Sequence, residues 1–188
     1  KHHQRGMRPK QIQLHSRHTP RTLAQNTKDP EMTQTPFRSS VMTVKPEWID
    51  FNGHLNMAYY NVLFDLCADE IYNDLGFGPD YQKTGCTTYT AEFHLCYVRE
   101  LHVNDPVTVT LQLLDFDEKR FHTYQEIWHE DGWLAATGEA MALHVDQSGP
   151  RVAPMPPEIL ARMKALHASH QSLPRPERAG RSIGIRRG

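Results

Sequence analysis

Trp48-Ile49-Asp50-Phe51-Asn52-Gly53-His54-Leu55-Asn56-Met57-Ala58-Tyr59-Tyr60 is the stretch on which the fold of this chain turns. A carboxylate, an imidazole and two side-chain amides stand between Asp50 and Asn56, immediately ahead of an apolar-periodic run. Such residues suit any helix N-terminus, where a side-chain oxygen accepts from the first free backbone N–H groups. They also suit chemistry, because those same N–H groups can hold a developing oxyanion. In the second reading Asp50 is the reactive group and Asn56 sits at or near the N-cap. The two readings are compatible, since the cap builds the anion site.

Helical spacing takes over at Asn56. Tyr60, Phe64, Cys67, Ile71 and Leu75 recur at intervals of four, three, four and four, which is one face of a helix. Val62 and Leu66 add apolar surface on another side, so the helix is expected to be buried on more than one face. Asp65, Asp69 and Asp74 line its wetter side, and Gly76 supplies the stop. A helix of about 19 residues spans roughly 28 Å, the width of a small domain. Gly76-Phe77-Gly78 follows a helix rather than a strand and lacks a third glycine, so it is no phosphate cradle.

Upstream, residues 39–45 alternate as a short strand that Pro46 ends. Residues 1–31 carry Lys1, Arg5, Arg8, Lys10, Arg17, Arg21 and Lys28 with no acid before Asp29. They read as a disordered extension ahead of a natural start at Met32, against the alternative of a basic arm or transit-like segment. Downstream come strands. Residues 86–98 alternate with a period of two, as do 107–113, 120–130 and 133–146, with Asp131-Gly132 as a hairpin turn. In the last strand Ala136, Gly138, Ala140 and Ala142 share one face, where the long helix or a partner subunit is expected to approach closely. A second helix is expected over about 157–170, with Ile159, Leu160, Met163 and Leu166 inward. The expected organisation is a basic extension over 1–37, a domain over 38–170 and a flexible basic tail over 171–188.

A net charge of −1 argues against nucleic acid as a partner. The sequence has no apolar run long enough to span a membrane and no signal-peptide core, so a cytoplasmic protein is the default expectation. Cys67, Cys86 and Cys96 are odd in number and lack a C-x-x-C spacing, which disfavours disulfides and zinc alike. No metal motif, nucleophile elbow or Walker loop is present, and His167 and His170 read as solvated. No metal and no cofactor are expected.

The element order implies an α+β fold in which one long helix crosses a face of a single curved antiparallel sheet, with the four long strands as a meander. Long exposed edge strands would favour a symmetric dimer. Asp50-Phe-Asn-Gly-His54-Leu-Asn56-x-x-Tyr59-Tyr60, followed by this helix and four strands, resembles the hotdog-fold acyl-CoA thioesterases of the 4-hydroxybenzoyl-CoA thioesterase-like group. The likeness covers about residues 38–148. Glu92-Phe93-His94-x-x-Tyr97 and Asp117-x-Lys119-Arg120-x-His122 further resemble the betainyl-CoA thioesterases of carnitine breakdown.

The resemblance implies a hotdog fold, a homodimer or dimer of dimers, and hydrolysis of a small acyl-CoA. It implies that Asp50 attacks the thioester or aligns a water, while the main chain of Met57 or a neighbour polarises the thioester oxygen. A thiolate leaves readily, so a carboxylate suffices without a strong general acid. His54 is a candidate for positioning water, or else packs the loop. Asn56 orders the helix start, and Asn52 orients water or occupies a turn. Trp48, Tyr59, Tyr60, Tyr97 and Trp128 are candidates for the acyl pocket, binding a quaternary ammonium by cation–π attraction, or are plain core. Glu92 and His94 either meet the acyl group across a dimer interface or form a cross-strand pair. Lys119 and Arg120 either hold coenzyme A phosphates or are a solvated hairpin tip. Two other functions compete: a hotdog enoyl-CoA hydratase or dehydratase, and a non-catalytic acyl-CoA-binding module for a dehydrogenase.

Overall fold

The computed structural model describes residues 35–185, all within one compact unit, Met32–Gly188. The expectations for residues 1–34 lie outside the described residues. Two short strands come first, β1 (Phe37–Arg38) and β2 (Met42–Thr43), followed by a 3-10 turn at Pro46–Trp48 and the long helix α1 (Met57–Leu75). Four long strands follow: β3 (Cys86–Tyr97), β4 (Pro106–Phe116), β5 (Arg120–His129) and β6 (Leu134–Asp146). A short β7 (Arg151–Val152) and helix α2 (Pro157–His170) complete the set. The sheet already includes Phe37, which pairs with Leu111.

The ends of α1 follow from local chemistry. Asn56 caps it by accepting from Ala58 N–H at 3.0 Å, which satisfies a donor that the first turn leaves free. Gly76 ends it at φ 97°, a left-handed conformation that costs glycine nothing. Tyr60, Leu63, Phe64, Cys67, Ile71 and Leu75 are buried. Val62 and Leu66, expected to be covered by the fold, are 37% and 42% exposed. Val62 borders an open cleft between α1 and the sheet, with Thr90, Phe93 and Ala140 on the sheet side.

All pairings are antiparallel, in the order β1-β4-β5-β6-β3, with β2 also on β4 and β7 on β6. The expected four-strand meander is therefore corrected. Only β4, β5 and β6 run as neighbours in sequence order, and β3 pairs with β6 at the far edge. The long helix accounts for this, because it carries the chain from the β4 side of the sheet to the opposite edge before β3 begins.

Residues directly opposite in a ladder share a face. Leu111 faces Gln125, Gln125 faces Gly138, and Gly138 faces Leu95. This row points at α1, since Gln125 Nε2 donates to Phe64 O at 2.9 Å. A Cβ at Gly138 would stand 2.5 Å from Phe93 Cζ and 3.2 Å from the Phe64 ring. Glycine there lets α1 settle onto the sheet, so the close partner of the small-residue face is the long helix. Cys67 behaves as a small hydrophobe: it is buried, its thiol donates to Val109 O at 3.6 Å, and burial pushes its pKa up to about 12.

The even alternation expected for residues 86–98 breaks at a bulge between Thr90 and Glu92. One extra residue moves Thr90 onto the helix side with Phe93. His170, read from the sequence as solvated, is 3% exposed, and its Nδ1 accepts from Leu113 N–H at 2.9 Å. Burial lowers its pKa, with the nearby His167 acting in the same direction. Beyond α2 the chain keeps a defined path over the outer face of the sheet, where Gly180 N–H donates to Glu139 Oε2 at 2.7 Å.

Candidate active site at the start of the long helix

The loop ahead of α1 is closed by its own backbone. Ile49 and Leu55 form an antiparallel bridge. Asp50 N–H donates to His54 O and Gly53 N–H to Asp50 O, each at 3.0 Å. Gly53 makes this turn at φ 84° with nothing within 4 Å of a notional Cβ. Its role is therefore conformational, a left-handed turn that a side chain would strain. Leu55 anchors the loop in the core at 2% exposure, and its N–H donates to Leu101 O at 2.7 Å. The loop is thereby tied to the segment that follows β3.

Between loop, helix and β3 lies a cleft of about 510 Å³. Asp50, His54, Asn56, Met57, Tyr60 and Tyr97 all line it, together with Phe51, Leu55, Val98, Arg99 and Glu100. Asp50 is half-buried. Its Oδ1 accepts from Asn52 N–H at 2.8 Å, which orients the carboxylate. In the first turn of α1, Ala58 N–H is taken by Asn56 Oδ1 and Tyr59 N–H by Asn56 O. Met57 N–H meets no acceptor among the described residues. A carboxylate and a free helix N-terminal N–H thus border one cavity, an arrangement able to direct a nucleophile at a carbonyl and hold the negative charge that develops.

Tyr60 and Tyr97 form the wall, edge to face with ring centroids 5.1 Å apart. Tyr97 OH donates to Met57 O at 3.1 Å, and Tyr60 OH accepts from Leu101 N–H at 3.3 Å. Burial raises the pKa of both phenols, so neither is a ready base.

Other candidates stand elsewhere in the chain. Tyr59 stacks on Trp48 with centroids 5.6 Å apart, and neither lines the cleft. Trp128 Nε1 donates to Glu126 Oε2 at 3.1 Å on the outer face. Asn52 contributes its backbone to the Asp50 turn rather than a side chain to the cavity. Glu92 and His94 belong to the ladder row of Gln112, Tyr124 and Glu139 or its neighbour, on the face turned away from α1. They line a separate cleft of about 520 Å³ with His122, Glu139 and residues 180–183. Within one chain they do not meet Asp50. Arg120 is held by Asp117, with Nε–Oδ2 at 2.8 Å, and Lys119 by Glu118 at 3.2 Å. Neither lies in the Asp50 cleft.

Arg99 and Glu100 went unmarked in the sequence. They fall in an irregular segment whose approach to the Asp50 loop is set by the Leu55–Leu101 hydrogen bond, a contact between residues far apart in the chain. Among the described residues no group of three or more His, Cys, Asp or Glu is placed to hold a metal ion, and no helix is long and apolar enough to cross a membrane.

Residues 44–163 match the family model of the thioesterase-like superfamily, so the chain belongs to that superfamily and is by class a hotdog-fold thioester hydrolase. Among curated proteins it is 39% identical over 144 residues to the betainyl-CoA thioesterase of Pseudomonas aeruginosa, covering 76% of this chain and 91% of that protein. It is 35% identical over 154 residues to the L-carnitine dehydrogenase/betainyl-CoA thioesterase of Rhizobium meliloti, covering 81% of this chain but 31% of that longer protein. Among solved structures, a Staphylococcus aureus protein in complex with CoA superimposes with a TM-score of 0.76 at 30% identity, covering 82% of this chain and 98% of that one.

Proposed function

We propose that this protein hydrolyses a small acyl-CoA, betainyl-CoA in the first instance, to the free acid and coenzyme A. The observation that carries the reading is the shared cleft of Asp50 and the unpaired Met57 N–H. Asp50 either attacks the thioester carbon, forming an acyl anhydride that water then opens to the free acid and the regenerated carboxylate, or draws a proton from a water that attacks directly. The Met57 N–H, at the positive end of α1, receives the carbonyl oxygen as it becomes an oxyanion. His54, half-buried at the mouth of the same loop, helps place the water. Asn56 keeps the donor aimed by fixing the first turn. Coenzyme A departs as a thiolate. The aromatic pair Tyr60 and Tyr97 suits the trimethylammonium group of a betainyl chain through cation–π attraction. The resemblance to the Pseudomonas aeruginosa thioesterase supports that acyl group, and the CoA complex of the Staphylococcus aureus protein supports the carrier.

The test is release of free thiol from a panel of betainyl-, benzoyl- and short aliphatic acyl-CoA, with enoyl-CoA hydration followed in parallel. Fastest release from betainyl-CoA is expected. Hydration of the enoyl substrate without thiol release would replace this reading with a hydratase, and inertness of the folded protein towards every substrate would leave a binding module.

The working unit is a homodimer or a dimer of dimers. β3 is an edge strand with no neighbour beyond it among the described residues, and an unpaired edge of twelve residues is a template for a second strand. Tyr89, Tyr97 and Val98 on or next to that edge, and Met57, Val62 and Leu66 on the adjoining side of α1, are all exposed apolar or aromatic groups. Sedimentation is expected to give twice the 21.7 kDa chain mass or four times it. A monomer at working concentration would overturn this assignment.

A further inference from the structure

We infer that Glu100 selects for a cationic acyl group by supplying its counter-charge at the wall of the Asp50 cleft. The inference rests on the thioesterase reading above and adds the residue that sets its specificity. Three observations converge on it.

Glu100 lines the cleft together with Asp50, Tyr60 and Tyr97. Burial raises the pKa of the Tyr60 phenol first of all, and the charges of Tyr97, Glu100 and Asp105 add smaller contributions in the same direction. Glu100, an exposed residue, and the aromatic pair thus border the same cleft. An anion beside aromatic rings is the combination that binds a quaternary ammonium, since both attract positive charge and neither demands a hydrogen-bond donor.

Among the described residues Glu100 has no hydrogen-bond or ion-pair partner. Its chain neighbour Arg99 is the one permanently cationic side chain lining the cleft, yet it does not neutralise Glu100. The Arg99 guanidinium lies over the Trp133 ring, 4.1 Å from the centroid, and both Val98 and Arg99 N–H donate to Ala135 O, at 2.9 and 3.0 Å. That double anchorage turns Arg99 towards β6 and leaves the carboxylate of Glu100 available.

A neutral substrate would gain nothing from an unpaired carboxylate in this position, whereas a trimethylammonium group would. The matching pair of probes is betainyl-CoA and 3,3-dimethylbutyryl-CoA, in which carbon replaces the quaternary nitrogen. The two acyl groups share size and shape and differ in charge. Wild type is expected to prefer betainyl-CoA in kcat/KM. Glu100→Gln should reduce that preference roughly fivefold or more, mainly through KM for betainyl-CoA, and Glu100→Asp should restore part of it.

A wild type that hydrolyses both substrates equally well, or a Glu100→Gln variant that loses both in the same proportion, would overturn the assignment while leaving the thioesterase intact. A preference unchanged in Glu100→Gln would overturn it as well. Failure of wild type to hydrolyse either substrate is a different result, because it would remove the thioesterase reading itself.

Discussion

Asp50→Asn is expected to lower kcat for acyl-CoA hydrolysis by roughly a hundred- to ten-thousandfold, the scale of a positioned base or nucleophile. The substitution isolates charge and basicity from structure. Asparagine keeps a side-chain oxygen where Asp50 Oδ1 now accepts from Asn52 N–H at 2.8 Å. The loop's other closures, Asp50 N–H to His54 O and Gly53 N–H to Asp50 O, involve backbone alone. The turn should therefore survive, and the thermal midpoint should stay within a few degrees of wild type. The measurement is steady-state thiol release, with unfolding followed on the same preparation. A folded variant retaining a third or more of wild-type kcat would show that the carboxylate is not the reacting group and shift attention to His54.

Phe64→Ala is expected to destabilise the fold by about 3–5 kcal/mol, the usual cost of removing a buried aromatic ring. Phe64 is 1% exposed. Its ring sits 5.5 Å from that of Phe93 and above the missing side chain of Gly138. Two constraints keep the site from collapsing around the vacancy. The backbone of Phe64 is tethered by Gln125 Nε2, and Gly138 has no side chain with which to fill the space. Urea unfolding at matched protein concentration is the check, since a dimer's midpoint depends on concentration. The midpoint should fall with little change in slope. A loss below 1 kcal/mol would mean that α1 is not seated on the sheet at this point.

These two variants separate what the chain encodes locally from what it does not. The Asp50 loop and α1 were legible because their causes are near neighbours in sequence. An asparagine caps the helix through an N–H two residues on, a glycine ends it, and apolar residues at intervals of three and four mark the buried face. The strands were legible for the same reason, as was the placement of small residues on one face of β6. Leu63 was missed as core because the apolar spacing marked a narrower stripe than the one the sheet covers.

The errors share a different cause. The order of strands depends on where a helix delivers the chain, and no local pattern reports that β3 will pair with β6 beyond a three-strand meander. A single bulge at residue 91 was enough to reassign Thr90 to the helix side. Register likewise places Glu92 and His94, expected either to meet the acyl group across a dimer interface or to form a cross-strand pair, on the face opposite α1, so that within one chain they stand apart from Asp50. Glu100 carried no motif and entered the cleft because its neighbour Leu101 is held by two long-range hydrogen bonds, accepting from Leu55 N–H and donating to Tyr60 OH. The sequence by itself determined the elements, the capped helix start and the residue type poised beside it, because those depend on interactions within a few residues. Tertiary structure alone decided which side chains share a cavity, because that depends on sheet order, register and the packing of segments about fifty residues apart.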